Sequence, residues 1–150
     1  MMPWRMMLLV AAALLNSGGA TANQPSPLVA FTVTGDGINQ PLAAKVGDAK
    51  SGATIVADRQ VGLCVLCHAV PGDPSTSNIA KSLNGVGSRL SAAQMRLRIV
   101  DSRRLDATSV MPAYYKVEGL TRVGTHWRAQ AILDAQQIED VVAYLLTLKQ

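Results

Sequence analysis

Apolar positions recur with a helical period in three places along this chain. The clearest lies near the C-terminus, where Ile138, Val141, Val142, Leu145 and Leu148 share one face at the 3.6-residue spacing. Asp134 and Gln137 stand where an N-terminal capping box belongs, so a helix is predicted to start at Asp134. A second stripe, Ala92, Met95 and Ile99, follows the S-x-x-Q box of Ser91 and Gln94 and should fade over residues 101–104. The third is shorter. Asp48 is its expected N-cap, and Ala49, Ala53, Val56 and Ala57 fall on one face. Gly52 inside this helix costs about 1 kcal/mol against alanine, which points to close packing on another helix.

Elsewhere the pattern is irregular. Residues 23–46 hold Pro25, Pro27, Pro41, Gly35 and Gly37 with no helical period. They read as an extension draped over the domain, with one short strand expected over residues 28–34. Residues 71–84 and 110–131 read as loops. Three short helices joined by long loops make a poor core, so the stripes need something large and apolar to close on.

The first residues read as an address. Arg5 is followed by an apolar run over residues 6–15 and by Ala20-Thr21-Ala22, the pattern of a secretory signal peptide spanning residues 1–22. The run is shorter than the roughly 20 residues that span a bilayer, so an uncleaved anchor is the weaker reading. Export puts the rest, an extension over 23–46 and a domain over 47–150, in the periplasm. Cleavage also removes Met1, Met2, Met6 and Met7, leaving Met95 and Met111 as the remaining methionines.

Composition then excludes several classes. The chain has 150 residues, 49% hydrophobic and 16% charged, which suits one folded domain and excludes a disordered tail. A formal charge of +4 is no nucleic-acid signature. Two cysteines cannot build a multi-bridge disulfide scaffold.

Those two cysteines carry the chemistry. Cys64-Val65-Leu66-Cys67-His68 is a C-x-x-C-H motif, the pattern for covalent attachment of a c-type haem. Each thiol can form a thioether to a porphyrin vinyl group, and His68 follows where it can ligate iron from one side. One covalently bound haem c would supply the missing apolar core. A thioredoxin-like pair would need a βαβ pattern, which is absent, and a zinc site would need more cysteine or histidine than His126 alone adds.

A six-coordinate haem needs a second axial ligand. Met95 sits mid-stripe on a helix, where methionine fills a core. His126 lies in the loop Gly124-Thr125-His126-Trp127. Met111 precedes Pro112, which biases it away from helix and toward an extended loop that can project sulfur at iron. Met111 is therefore favoured, with Met95, His126, another side chain or an open iron as the alternatives.

With the motif placed, residues 47–150 resemble a class I cytochrome c, an all-α domain wrapped around one haem. Gly47-Asp48-Ala49-Lys50-Ser51-Gly52 looks like that family's first helix, whose glycine meets an aromatic residue of the last helix, here Tyr144. From Ala57 onward the chain more specifically resembles the SoxX family, the monohaem subunit of the SoxAX cytochrome of sulfur oxidation. The matching pieces are the haem motif, Leu83-Asn84-Gly85-Val86-Gly87-Ser88-Arg89-Leu90, Met111-Pro112-Ala113-Tyr114-Tyr115, Gly119-Leu120-Thr121-Arg122-Val123, and residues 137–145. Where cytochromes of this type carry Gly-Pro before the leucine at position 83, this chain has Ala80-Lys81-Ser82.

The resemblance implies His68 and Met111 as axial ligands and a SoxA-like cytochrome as heterodimer partner. It also implies a place beside L-cysteine S-thiosulfotransferase chemistry, in which thiosulfate is joined oxidatively to a cysteine of the SoxYZ carrier. This subunit would relay the electrons to a downstream cytochrome or other acceptor and would not itself be catalytic. The alternative is a free-standing periplasmic electron carrier with other partners. Neither reading calls for nucleic acid or a membrane anchor. Tyr114 and Tyr115 read as haem-edge packing or partner contacts. Arg96, Arg98, Arg103 and Arg104 read as a solvated basic face or a docking surface.

Overall fold

The computed structural model describes residues 27–149 apart from 75 and 76. The signal segment at residues 1–22 lies outside the described residues, as does the side chain of His126. Among the described residues there are four α-helices: α1 (Ala49–Ala57), α2 (Val86–Arg89), α3 (Ala92–Asp101) and α4 (Ala135–Thr147). Single 3-10 turns occupy Cys64–Leu66, Ser102–Arg104 and Thr125–Trp127. No described helix is long and apolar enough to cross a membrane.

The caps form as their residues predict. Ser91 accepts from the Gln94 N–H while Gln94 returns a bond to the Ser91 N–H, and Asp134 and Gln137 do the same at α4. Both satisfy N–H groups that a helix start otherwise leaves open. Asp48 caps α1 through the Ser51 N–H, and these bonds hold its carboxyl below the usual carboxylate range. On α1 the packed face centres on Gly52 and Val56, with Ala49 and Ala53 at its flanks and Ala57 turned outward.

Gly52 explains that geometry. A Cβ there would sit 1.9 Å from the Asp140 carbonyl oxygen and 2.9 Å from the Tyr144 Cβ, so α1 presses directly on the α4 backbone. The Asp140 carboxylate secures the crossing by accepting from the Asp48 N–H at 2.8 Å and from Gln136 at 2.9 Å. Ile138, Val141, Val142 and Leu145 close the core from α4, while Leu148 lies half-buried just past its end.

The strand expected over residues 28–34 does not form. Among the described residues there are only isolated bridges, Thr34 with Gly37, His68 with Ala80 and Val70 with Asp73. Gly35, at φ 60°, turns the chain at once. The Val29 N–H goes to the Tyr115 hydroxyl at 2.8 Å rather than to a ladder.

The segment 27–46 is also more than a drape. Ile38 and Leu42 are 1% and 4% exposed and belong to the main core. The Ile38 N–H donates to the Ala93 carbonyl at 3.0 Å, and Gln94 reaches Asp36 at 2.6 Å. Arg96 donates to the Ile38 carbonyl at 2.6 Å and holds Glu139 through two N–H···O contacts of 2.7 and 2.9 Å. The same carboxylate accepts from the Leu42 N–H at 2.8 Å. Both side chains are about 6% exposed, and each polar arm has a partner.

Candidate functional site

The attachment motif is built on a tight turn. Leu63 takes φ 60°, and the chain then winds through the 3-10 turn Cys64–Leu66, with the Cys67 and His68 N–H groups both donating to the Cys64 carbonyl. Residues 77–83 run alongside. The Ser77, Ala80 and Leu83 N–H groups donate to the carbonyls of Val65, Cys67 and Ala69 at 3.2, 2.7 and 2.9 Å. This pairing brings the Lys81 carbonyl to 2.7 Å from His68 Nδ1. A carbonyl oxygen only accepts, so Nδ1 carries the proton and Nε2 keeps its lone pair for a metal.

The orienting acceptor comes from Ala80-Lys81-Ser82, the stretch that departs from Gly-Pro. A backbone carbonyl is available from any residue, so the departure leaves this function intact. Arg89 of α2 secures the loop by donating to the carbonyls of Ser82, at 3.0 Å, and Asn84.

Met111 shares a cavity with His68. The two residues line one cavity of about 450 Å³, floored by apolar side chains of α2, α3 and α4 that include Val86, Ile99 and Leu145. That size suits a small-molecule or cofactor site. Met111 is half-buried in the loop after α3, with its N–H 3.3 Å from Ser109 Oγ and its carbonyl 3.4 Å from Ser102 Oγ. Met95 also reaches the cavity, from α3, and is 1% exposed. The cations Lys81, Arg89 and Arg98 line the cavity too, and no carboxylate does. A second cavity, about 550 Å³, lies between the N-terminal segment and residues 130–137 and is lined by no thiol, thioether or imidazole.

The two cysteines are free and half-buried. The Cys64 thiol donates to the Gly62 carbonyl at 3.2 Å, and burial pushes it up to about 11. Among the described residues no group of three or more His, Cys, Asp or Glu side chains is set to hold a metal ion unaided. An imidazole and a thioether lining a largely apolar cavity, with two free thiols in the turn that leads to the imidazole, fit an iron porphyrin, which brings four nitrogen donors of its own.

The remaining sequence-predicted residues part company. Arg96 is buried against Glu139, Arg98 turns to the cavity, and Arg104 lies 5.8 Å over the Phe31 ring beside Asp101. Arg103 donates to the Ser109 carbonyl. These arginines therefore do not share one basic face. Tyr114 and Tyr115 are each 3% exposed and are packing residues, not partner contacts. By contrast Leu66, Ile79 and Val110, beside the haem motif and the Met111 loop, stay 41%, 75% and 85% exposed.

The family model for cytochrome c matches residues 49–149. Among solved structures, the crystal structure of SoxXA from P. pantotrophus matches with a TM-score of 0.72 and 34% identity, covering 80% of this chain and 95% of that one. The chain belongs to the SoxX family of c-type cytochromes. No curated protein matches it. This SoxX-family cytochrome takes haem c as its cofactor and serves electron transfer. Sequence reasoning had no signal for Glu139 or for the Tyr114 hydroxyl, which donates to the Gly62 carbonyl at 2.7 Å.

Proposed function

We propose that Cys64 and Cys67 hold the haem by thioether bonds, that His68 and Met111 are its axial ligands, and that the chain is the electron-relay subunit of a periplasmic complex with a SoxA-like cytochrome. One observation carries this reading. His68, with Nδ1 committed to the Lys81 carbonyl, and Met111 line the same apolar cavity. The bound iron supplies a one-electron ferric–ferrous couple. His68 is held in the tautomer that leaves Nε2 free, and Met111 offers a soft sulfur that favours the ferrous state and raises the potential. Leu83, Val86, Ile99 and Leu145 keep water away from the site.

A relay has no need of proton transfer, and the cavity lining offers no carboxylate for it. The exposed Leu66, Ile79 and Val110 are suited to an apolar contact with a partner. The neighbour is SoxXA, which supports a SoxA-like partner; in this proposal the electrons come from joining thiosulfate to a SoxYZ cysteine and leave to a downstream acceptor. The test is isolation of the native periplasmic complex with haem staining of each subunit. A second cytochrome that co-purifies, and sulfur transfer only when both are present, is the expected result. A monomer indifferent to a SoxA-like chain would leave a free carrier instead.

A further inference from the structure

The segment that carries Met111 also touches the segment that carries Cys64. Tyr114 is 3% exposed, and its hydroxyl donates to the Gly62 carbonyl at 2.7 Å. The Cys64 thiol donates to the same oxygen at 3.2 Å.

The acceptor cannot drift. A Cβ at Gly62 would stand 2.0 Å from the Ile55 carbonyl oxygen, so this turn lies hard against α1. The next residue, Leu63, is held at φ 60° with its N–H on the Asp58 carbonyl. At the other end Tyr114 is fixed through its backbone. Its N–H donates to Ile99, and its carbonyl accepts from Ile132 and Leu133, at 3.0 to 3.2 Å. Between that anchor and α3, the Met111 backbone has only two long hydrogen bonds among the described residues, to Ser109 and Ser102.

We propose that Tyr114 is a positioning residue for the distal ligand: its hydroxyl ties the Met111 loop to the Cys64 turn and so sets how firmly the methionine holds the iron. This rests on the reading of Met111 as that ligand. Thioether formation adds the Cys64 S–H across a vinyl group, with sulfur joining one carbon and hydrogen the other. The thiol thereby loses its proton, and Tyr114 remains as the side-chain donor on the Gly62 carbonyl. Without the hydroxyl, that buried carbonyl loses a partner and the loop loses its tie to the attachment turn. The neighbouring Tyr115 sends its hydroxyl the other way, to the Val29 N–H, and offers a matched control.

The experiment is imidazole titration of the ferric holoprotein, followed by loss of the near-infrared iron–sulfur charge-transfer band. Tyr114→Phe should keep covalent haem and the band, yet lose the methionine at roughly tenfold lower imidazole, the equivalent of one hydrogen bond. Tyr115→Phe should titrate like the parent. Should Tyr114→Phe accumulate poorly, a fluorotyrosine placed at position 114 keeps the ring and makes the hydroxyl a stronger donor, so displacement must require more imidazole. Equal titration of Tyr114→Phe and the parent, an equal shift in Tyr115→Phe, or an unmoved fluorotyrosine protein each overturns the proposal. Met111→Ala separates the two levels. A band that persists there removes the ligand reading and this inference together, whereas a band lost there with Tyr114→Phe unshifted removes this inference alone.

Discussion

Helix α3 has two unlike sides. On one, Arg96 is enclosed by Glu139, the Ile38 carbonyl and the segment around Leu42, and each polar arm meets a protein partner. On the other, Met95, Arg98 and Ile99 face a cavity that also receives His68 and Met111. The first side is finished by the chain itself. The second is completed by a cofactor the chain must acquire. A seam closed by protein alone and a cavity completed by the cofactor thus lie on different sides of a ten-residue helix.

The widest break in this comparison is removal of the thiols. Cys64→Ala with Cys67→Ala should abolish covalently haem-stained protein and leave little folded chain, because the cavity side has no other filler. Normal recovery of covalently stained protein would refute that. The closed side should fail differently. Arg96→Met leaves Glu139 as an uncompensated buried charge and should cost about 3–5 kcal/mol by urea unfolding of the holoprotein, with the haem still attached. Adding Glu139→Leu removes the stranded charge and should recover part of the loss. Recovery stays incomplete, since the Ile38 carbonyl and the Leu42 N–H still lack the partners these side chains gave them.

Both sides were unequally legible in the sequence. The capping boxes at Ser91 and Asp134 were, because their bonds join residues three apart. So was the haem motif, whose five residues are consecutive. Nothing local marks Glu139 and Asp140 for burial, since their partners Arg96 and the Asp48 N–H lie 43 and 92 positions away. Ile38 and Leu42 are isolated apolar residues among prolines and glycines, with no period to mark them as core. The Lys81 carbonyl and the Gly62 carbonyl are backbone acceptors, and residue type says nothing about which carbonyl will serve. The strand expected near Leu28 finds no second strand to pair with among the described residues.

The cavity side is sharpened by separating its two methionines. Met111→Ala should abolish the iron–sulfur band and open the iron to exogenous ligands. Met111→His should keep a low-spin haem at a lower potential. Met95→Ala, at a site 1% exposed, should cost about 2–5 kcal/mol through lost packing and leave the band in place. The reverse pattern would move the ligand to α3, and a bis-histidine spectrum in the parent protein would move it to His126.

The smallest effect belongs to the seam between the N-terminal segment and the core. The Tyr115 hydroxyl accepts from the Val29 N–H at 2.8 Å, while its ring lies 6.4 Å from that of Phe31 at 46°. Tyr115→Phe keeps the ring and that contact and removes only the acceptor. Val29 is 48% exposed, so water can reach its freed N–H. The loss should therefore sit near the low end for a hydrogen bond, about 0.5 kcal/mol, in urea unfolding of the holoprotein. Its reduction potential should match the parent, because the bond goes to Val29 and its loss leaves the Tyr114 tie to Gly62 in place. A shifted potential would show that the N-terminal segment bears on the iron as well as on the core, and the division between the two sides of α3 would then be too sharp.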